Sequence, residues 1–335
     1  MLSEFAITPA IFDADEHDDK EAWREQLREL TSAIFPRTSV WPIVISDLHN
    51  GAWSSHIVPY INRMSDHRAK KYCQGLLTNM QRMLVVRPDC HEWPGEDDAA
   101  WCQEAIATHA IEPIDRIISV KKTKQLSADA FSMVRCIDEV EESGFWRDIR
   151  SDASPRMVIA EQVQLLRKLC LHSNWVALIN PYGFGNEQEF TIQLAALAMQ
   201  RNAGFGRLDL ELHANMPEGN DNAECEIKKQ NVTANMRRRL TRSLTSDNQI
   251  ELYFWPRILD RIIVAGNYVT QSGGIRRKSP RWGVNMSHVA HGNDPNATPT
   301  EWKLLGREAL DCWFRAFCIE SIQDKPLPVQ IAANK

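Results

Sequence analysis

Residues 249–288 read QIELYFWPRILDRIIVAGNYVTQSGGIRRKSPRWGVNMSH and carry the strongest fold signal of the chain. Two apolar runs within this stretch, residues 250–255 and 262–265, are rich in β-branched and aromatic side chains and are flanked by Pro256 and Gly266. That length and composition predict two β-strands. Polar and cationic side chains cluster where the two runs end, and ligands of α/β proteins usually bind at strand ends. The stretch therefore predicts an α/β fold with a site for a phosphate-bearing partner.

The positive charge of the chain is concentrated in the same region. The formal net charge is −5, but residues 227–281 hold twelve basic and three acidic residues, which gives this span a charge of +9 and the rest of the chain −14. The basic residues are Lys228, Lys229, Arg237, Arg238, Arg239, Arg242, Arg257, Arg261, Arg276, Arg277, Lys278 and Arg281. A basic segment on an acidic protein is typical of a polyanion-binding site. The alternative is a solvated helix face whose surface ion pairs contribute about 0–1 kcal/mol each.

Length and composition indicate an ordinary globular protein with two domains. The chain has 335 residues, of which 43% are hydrophobic and 25% charged, and its eight cysteines are scattered without a Cys-x-x-Cys pair. Scattered free thiols are typical of a reducing cytoplasm. No apolar run approaches the roughly 20 residues that a membrane-spanning helix needs, and the acidic amino terminus lacks the basic segment of a signal peptide. We therefore predict a cytoplasmic protein without a membrane partner.

The order of the predicted elements sets the domain organisation. From residue 156 onward the apolar periodicity predicts helix, strand, helix, strand, helix, strand, strand and helix, which is typical of a layered α/β domain. Earlier in the chain it predicts helices near residues 18–35, 54–84, 99–109 and 127–149 and strands near residues 41–45 and 113–120. The predicted fold class is α/β, with a mixed amino-terminal region over residues 1–125, the layered domain over residues 126–325 and a tail over residues 326–335.

Three short segments resemble the motifs of a known family. They are Asn180-Pro181-Tyr182, Leu259-Asp260-Arg261 and Ser272-Gly273-Gly274. They resemble the Asp-Pro-Tyr, the His-Asp-Arg and the glycine turn of phospholipase D-like domains, which occur in many bacterial phage-defence and restriction-associated proteins. In that family the histidine attacks phosphorus, while Lys or Arg and Ser or Asn hold the phosphate oxygens. Leu259 cannot form a phospho-enzyme, and Gly266 stands where the family's final Asp is expected. The resemblance therefore implies a phosphate cradle without covalent catalysis.

The resemblance implies a nucleic-acid-binding component of a bacterial anti-phage or restriction-type system. Its phosphate-binding residues would be Arg257, Arg261, Asn267 and Ser272. The nucleic-acid strand would be contacted by Arg237, Arg238, Arg239, Arg242, Arg276, Arg277, Lys278 and Arg281. Trp282 would stack on a base. The partners would be nucleic acid and other subunits of the defence system, and no cofactor is expected. A homodimer is compatible with the resemblance, because such domains with one motif per chain often pair.

A metal-dependent nuclease is the first alternative. Asp209 and the later Glu226-Ile227-Lys228 form an Asp…Glu-x-Lys pattern, with which restriction-endonuclease-like folds bind Mg²⁺ and orient water. The pattern requires residues 223–230 to form a strand, whereas their sequence predicts a helix, in which Glu-x-Lys is common. Mg²⁺ or Mn²⁺ would be a cofactor only under this alternative.

A metal-dependent phosphoesterase is the second alternative. Asp47 and His49 follow a predicted strand, which resembles the first motif of calcineurin-like metallophosphoesterases, where Asp-x-His supplies metal ligands. The later motifs of that family are missing from the sequence. The same residues also fit a turn that caps a helix beginning near Trp53. His288 and His291 have a spacing that lets them share a helix face as ligands, but no third ligand is evident.

A structural subunit of a defence complex, whose basic face contacts an acidic protein, is the third interpretation. Cleavage that depends on a divalent ion would separate the enzyme alternatives from binding alone. Phosphate-backbone binding should weaken with salt, by roughly 0.9 log units per log unit of salt for each duplex phosphate neutralised.

Overall fold

In the computed structural model the chain forms two compact units, residues 2–150 and 151–335. The structure describes residues 2–35, 43–88, 97–121, 123, 133–139, 152–153, 158–200, 203–240, 249–287, 301–318 and 325–331. The predicted boundary follows residue 125, but the units divide between Arg150 and Ser151, because a strand near residue 134 pairs within the first unit. Part of the predicted tail, Val329–Ile331, pairs as a strand within the second unit.

The first unit is built on a five-stranded parallel sheet. Its elements are β1 (Ser3–Ile7), α1 (Lys20–Ile34), β2 (Ile43–Asp47), α2 (Leu48–Gly51), α3 (Trp53–Arg63), α4 (His67–Gln81), β3 (Leu84–Val86), α5 (Asp98–Ile111), β4 (Arg116–Ser119) and β5 (Val134–Cys136), with short 3₁₀ turns at Pro9–Phe12, Ala14–Glu16 and Ile137–Glu139. The order of the strands across the sheet is β3-β2-β1-β4-β5. The carboxyl ends of all five strands therefore lie along one edge.

The core of the first unit lies between this sheet and its helices. Every residue of β2 is buried, as in parallel strands that helices cover on both faces. Helix α1 buries Trp23, Leu27, Leu30 and Ile34. These four residues recur with the helical period, so the predicted apolar face of this helix is confirmed.

The second unit is built on an eight-stranded mixed sheet. Its elements are β6 (Asp152–Ala153), α6 (Ile159–Leu165), α7 (Arg167–Leu171), β7 (Trp175–Ile179), α8 (Gln188–Met199), β8 (Asp209–Asn215), α9 (Asn222–Leu240), β9 (Gln249–Trp255), β10 (Ile262–Thr270), β11 (Arg276–Ser287), β12 (Glu301–Leu304), α10 (Arg307–Phe317) and β13 (Val329–Ile331). The strand order is β13-β9-β8-β7-β10-β11-β12-β6. Strands β7, β8 and β9 run parallel, and the other neighbouring pairs of this sheet are antiparallel. The predicted α/β class is confirmed in both units.

Helices cover both faces of the second sheet. On one face, Leu310 of α10 packs with Trp175 and Val264 of the sheet. On the other face, the guanidinium of Arg261 lies over the ring of Phe190 in α8, 4.5 Å from the ring centroid. Successive side chains along β10 alternate between these two layers, as the two-residue period of a strand requires.

Several strands depart from the predicted elements. The helix predicted over residues 127–149 is wrong at Val134–Cys136, which form β5 and pair with β4. Strands β3, β11, β12 and β13 were not predicted, because they are short or carry charged residues that hide a strand pattern. Among the described helices, none combines the length and the apolar character needed to cross a membrane.

Gly266 of β10 lies opposite a bulge of β11, where the pairing register skips Arg281. A Cβ atom at this position would lie 2.0 Å from the carbonyl oxygen of Ser279 and 3.0 Å from the backbone nitrogen of Arg281. Gly266→Ala is therefore expected to lower the free energy of unfolding by about 1–3 kcal/mol, the usual cost of forcing extra atoms into a packed site. Equilibrium urea unfolding measures this change. Gly185→Ala is the control, since its Cβ would lie 3.8 Å from the carbonyl oxygen of Tyr182. Equal unfolding midpoints for the two variants would contradict the expectation.

Candidate functional site

The ends of the parallel strands β7, β8 and β9 form one edge of the second sheet, which we call the carboxyl edge. Asn180 follows β7, Asn215 ends β8, and residues 256–261 follow β9. Asn215 holds this last segment, because its amide oxygen accepts from the backbone nitrogen of Ile258 and its amide nitrogen donates to the Ile258 carbonyl at 3.2 Å. Arg257, Leu259 and Asp260 are exposed on the segment. The carboxyl edge is thus where an α/β unit of this kind offers a ligand site.

Arg261 is buried at the carboxyl edge and is paired with a carboxylate. Its Nε atom lies 3.1 Å from Oε2 of Glu187, and the residue is 6% exposed. The Asn180 amide donates to the same Oε2 atom at 2.8 Å. Burial lowers the pKa of Arg261, although a guanidinium keeps its charge at neutral pH. Arg261 therefore fixes the start of β10 against α8 instead of projecting into solvent.

The other residues of the predicted phosphate cradle lie elsewhere. Strand β10 pairs with β7 from Ile262 to Gly266, and Asn267 and Ser272 come after this paired part. Asn267 is therefore about 20 Å from Arg261 along the strand. The Asn267 side chain accepts from the backbone nitrogen of Asn174 at 3.2 Å. Arg257 stays at the carboxyl edge. A single cradle of all four predicted residues is therefore not formed, because strand β10 separates them.

The arginines at the end of α9 lie beside the carboxyl edge. Arg239 pairs with Glu189 at 2.7 Å, and Asn235 donates to Gln188 at 2.9 Å. Gln188 and Glu189 begin α8, directly after the residue that pairs with Arg261. Arg238 is exposed and donates to the Asn235 side-chain oxygen at 3.0 Å. Part of the predicted nucleic-acid surface thus adjoins the carboxyl edge, while Arg242 lies outside the described residues.

Strands β10 and β11 continue past the rest of the sheet. The last residue of β10 that pairs with β7 is Gly266, and from there to the pair Thr270–Arg276 the two strands pair only with each other. We call residues 267–279 the ribbon. Arg276 and Arg277 are exposed on it, whereas Lys278 turns inward to an ion pair with Glu211.

Trp282 was predicted to stack on a base, but the structure buries it. Its exposure is 7%, and the guanidinium of Arg281 lies 4.4 Å from its ring centroid. Burial lowers the pKa of Arg281 to about 10. Both residues belong to the packed part of β11, so neither side chain is exposed for contact with a nucleic acid.

The described cations of residues 227–281 differ in whether they are already paired with a carboxylate. At least five form ion pairs, namely Lys228 with Glu224, Lys229 with Glu226, Arg239 with Glu189, Arg261 with Glu187 and Lys278 with Glu211. Arg237 donates to the Gln330 carbonyl at 3.4 Å. Four others, Arg238, Arg257, Arg276 and Arg277, are exposed and form no ion pair within the described ranges. These four exposed guanidinium groups remain available to a ligand.

A buried polar cluster on β8, which the sequence did not reveal, lies on the face that α10 covers. Lys278 and Lys325 both bind Oε1 of Glu211, Lys325 at 3.5 Å, and the hydroxyl of Tyr253 lies 3.4 Å from the same oxygen. His213 Nε2 lies 3.2 Å from Oε2 of Glu211. We call these five residues the β8 cluster. The only sequence signal for it is the alternation of residues 209–215, which places charged side chains on the face that packs inward.

The protonation states of the β8 cluster follow from its contacts. The Trp255 indole nitrogen donates to Nδ1 of His213 at 3.0 Å, so Nε2 carries the proton that faces Glu211. Burial lowers the pKa of His213 and favours the neutral ring. Burial acts to raise the pKa of Glu211, but the hydrogen bond from His213 and the charges of Lys278 and Lys325 outweigh it and hold the pKa below its ordinary value. The cluster therefore places two ammonium groups on one ionised carboxylate.

The nuclease alternative is not assembled in the structure. Residues 223–230 are helical within α9, and Glu226 and Lys228 lie on its exposed turns, paired with other residues of the same helix. Asp209 begins β8, whereas α9 follows the opposite end of that strand, about 20 Å away. The Asp209 carboxylate accepts from Arg207 at 2.6 Å and from the Tyr268 hydroxyl at 2.7 Å. The predicted helix is confirmed. The metal site of Asp209, Glu226 and Lys228, which required residues 223–230 to form a strand, is wrong.

The phosphoesterase alternative is also not assembled. Asp47 Oδ1 accepts from the backbone nitrogen of Trp53 at 3.2 Å, which is the capping contact that the sequence allowed, and burial raises the Asp47 pKa. His49 Nε2 contacts the carboxylate of the buried Glu104, and the His49 ring centroid lies 4.1 Å from that of Trp101. Across the described residues, no group of three or more His, Cys, Asp and Glu side chains is arranged to hold a metal ion. His288 and His291 lie outside those residues.

Comparison with known proteins leaves the family of this chain open. No model of a known protein family matches the sequence, and none of the curated proteins matches it. The likeness to phospholipase D-like domains at residues 180–182, 259–261 and 272–274 therefore stays a prediction.

Proposed function

We propose that this chain binds nucleic acid through the phosphate backbone and performs no phospholipase D-type covalent reaction. The observation that carries the proposal is the set of four exposed arginines without an ion pair in the described ranges, Arg238, Arg257, Arg276 and Arg277. An exposed guanidinium presents a planar fork of donors that matches phosphate oxygens. A chain of net charge −5 that keeps these cations unneutralised on one unit directs a polyanion to that unit.

The four arginines form two patches. Arg257 belongs to the carboxyl edge and Arg238 lies beside it. Tyr182 at this edge is 55% exposed and presents a ring on which a base can stack. Arg276 and Arg277 belong to the ribbon. The length of β10 separates the patches by about 30 Å, so a nucleic acid needs roughly nine base steps to span that distance. Binding is therefore expected to strengthen up to about that length.

The absence of covalent catalysis follows from the residue at the family's nucleophile position. Leu259 is 71% exposed on the carboxyl edge, and its side chain has no nucleophilic atom. A bound phosphodiester at this place would meet a hydrocarbon group. The anti-phage or restriction setting stays a prediction of the resemblance alone.

Replacing the four arginines together by alanine is expected to weaken binding and flatten its salt dependence. Each arginine that no longer neutralises a duplex phosphate lowers the slope of log K against log salt by about 0.9, so the slope falls by roughly 3–4. Fluorescence anisotropy with labelled single-stranded and double-stranded DNA and RNA at several salt concentrations measures this, and parallel gels show whether the probe stays intact with Mg²⁺ or Mn²⁺.

A matched control removes four exposed cations from the first unit. The control positions are Arg28, Arg63, Arg68 and Lys71, of which Arg28 pairs with Glu25 and Arg63 with Asp13. This variant has the same net charge as the test variant and is expected to bind as the wild type does. Binding that does not depend on salt, or an equal reduction of affinity in both variants, would sink the proposal. Metal-dependent cleavage would restore an enzyme interpretation, and a co-purifying protein without nucleic-acid binding would favour a structural subunit.

A further inference from the structure

The ribbon is a two-stranded element, and among the described residues no third strand pairs with either of its sides. Its four rungs are the antiparallel pairs from Asn267–Ser279 to Thr270–Arg276, and β7 pairs with β10 only up to Gly266. On the other side, β12 begins to pair with β11 at Val284. Four rungs at about 3.3 Å each, together with the turn, extend well over 10 Å beyond the sheet.

One face of the ribbon's base is fixed to strand β8. The Tyr268 hydroxyl donates to Asp209 at 2.7 Å, and Lys278 binds the buried Glu211. The guanidinium of Arg276 lies 4.4 Å from the centroid of the Tyr268 ring. Because side chains alternate along a strand, Arg277 points to the opposite face, away from these anchors. The ribbon is thus held at its base by Tyr268 and Lys278, and Arg277 lies on the face away from these contacts.

The tip combines a tight turn with apolar, amide and cationic side chains. Gly273 and Gly274 have φ angles of 96° and 79°. Across the turn, the Gln271 carbonyl accepts from the backbone nitrogen of Gly274 at 3.0 Å, and the Gln271 backbone nitrogen donates to the Ile275 carbonyl at 2.9 Å. Val269 is 51% exposed and Ile275 is 59% exposed. The tip therefore offers apolar, amide and cationic groups to a partner.

The charge and the dimensions of the ribbon select one kind of partner. Residues 267–279 contain Arg276, Arg277 and Lys278 and no acidic residue, which favours a polyanion over an acidic or neutral protein groove. Two strands about 4.8 Å apart fit the major groove of B-form DNA, which is roughly 12 Å wide. Arginine and glutamine side chains can bind guanine and adenine edges there, and apolar groups can contact the thymine methyl. The major groove of A-form RNA is too narrow for side chains to read.

We propose that the ribbon enters the major groove of double-stranded DNA, with Arg277 and Gln271 reaching the base edges. This inference rests on the proposed nucleic-acid binding and names its substrate as duplex DNA. The carboxyl edge then contacts phosphates of the same ligand and carries no sequence information.

The test compares three duplexes of one sequence of about 20 base pairs, which exceeds the length that both patches need. They are plain DNA, DNA with bulky uncharged groups on the thymine C5 positions that fill the major groove, and RNA. Wild-type protein is expected to bind the plain DNA about tenfold or more tightly than the other two, since neither of them admits the ribbon to its major groove. A saturating minor-groove ligand is expected to leave the binding of plain DNA unchanged.

Single variants on the two patches form a matched pair. Arg277→Ala is expected to reduce the preference for plain DNA, because it removes an interaction within the groove. Arg238→Ala removes the same charge at the carboxyl edge and is expected to weaken binding to all three duplexes by a similar factor. Both residues are exposed, so the fold tolerates either change.

The outcomes separate this inference from the proposed function. Salt-dependent binding that is equal for the three duplexes would leave the proposed function intact. It would contradict the inference that the ribbon enters the major groove. A lack of binding to any nucleic acid would overturn both. Normal DNA binding by Arg277→Ala, combined with loss of a co-purifying protein, would assign the ribbon to a protein partner and overturn the inference.

Discussion

Glu211→Gln is expected to lower the free energy of unfolding of the second unit by about 3–5 kcal/mol, the usual cost of removing one partner from a buried ion pair. Lys278 and Lys325 both bind the same oxygen of Glu211, and their side chains are only 12% and 8% exposed. A neutral amide leaves both ammonium groups in the low-dielectric interior without a negative charge. The destabilisation therefore combines a desolvation cost with a missing attraction. Urea unfolding at pH 7 measures it.

The same variant has a predicted pH dependence. The pKa of Glu211 in the folded protein lies below the ordinary value of 4.5, because His213, Lys278 and Lys325 outweigh the effect of burial. A lowered pKa means that the carboxylate stabilises the fold above the unfolded pKa and that this contribution is lost as the pH falls toward the folded pKa. The difference in stability between wild type and Glu211→Gln should therefore be largest near neutral pH and shrink below about pH 5.

A control carboxylate is found on the exposed helix α9. Glu226 pairs with Lys229 at 3.5 Å, and the Glu226 side chain is 56% exposed. Glu226→Gln should change the stability very little, since exposed pairs are screened by solvent. If Glu211→Gln were as stable as this control, the two lysines would have to leave the β8 cluster for solvent, and the cluster would have no structural role.

Arg87→Met is expected to lower the free energy of unfolding of the first unit by about 3–5 kcal/mol, again because a buried charge is left without its partner. Arg87 and Glu4 are both 0% exposed, and Arg87 Nη1 lies 3.1 and 3.2 Å from the two carboxylate oxygens. The hydroxyl of Ser46 donates to the same carboxylate at 2.7 Å. The pair joins β1, β2 and the end of β3 in the middle of the parallel sheet. Without Arg87, Glu4 loses the guanidinium that contacts both of its carboxylate oxygens.

The double variant Glu4→Gln with Arg87→Met completes a thermodynamic cycle. Removing both charges should recover part of the stability that Arg87→Met loses, because no buried charge is left uncompensated. The recovery is expected to be incomplete, since Arg87 also donates to the Glu112 carbonyl at 2.8 Å. Strictly additive effects of the two substitutions would mean that the pair is not coupled.

Much of the local structure could be predicted because it depends on nearby residues. The 3.6-residue spacing of Trp23, Leu27, Leu30 and Ile34 predicted the buried face of α1, and the apolar run at Trp175–Ile179 forms β7. The helix over residues 223–230 was also predicted. Strand β5 was missed because Val134–Cys136 become a strand only through pairing with β4, which no local pattern encodes.

The candidate site was predicted only in part. The basic character of residues 227–281 is evident from composition, but exposure decided which cations remain available to a ligand. Arg257 and Arg277 are available, whereas Arg261 is buried beside Glu187, 74 positions earlier in the chain. Trp282 was assigned to stacking and is buried in β11. Composition indicates a charged segment, but it does not indicate which face of a strand each side chain takes.

Composition and short periodicities were enough to predict the α/β class, the main helices and strands and the basic segment, since each of these is a property of neighbouring residues. Which charges meet depends instead on the pairing of distant strands. Lys278 reaches Glu211 across 67 positions because β10 and β7 set the register between β11 and β8. The same register leaves the ribbon free beyond Gly266 and separates Arg261 from Asn267. A shift of one residue in a strand moves every side chain to the other face, so these interactions follow from long-range pairing and not from local pattern.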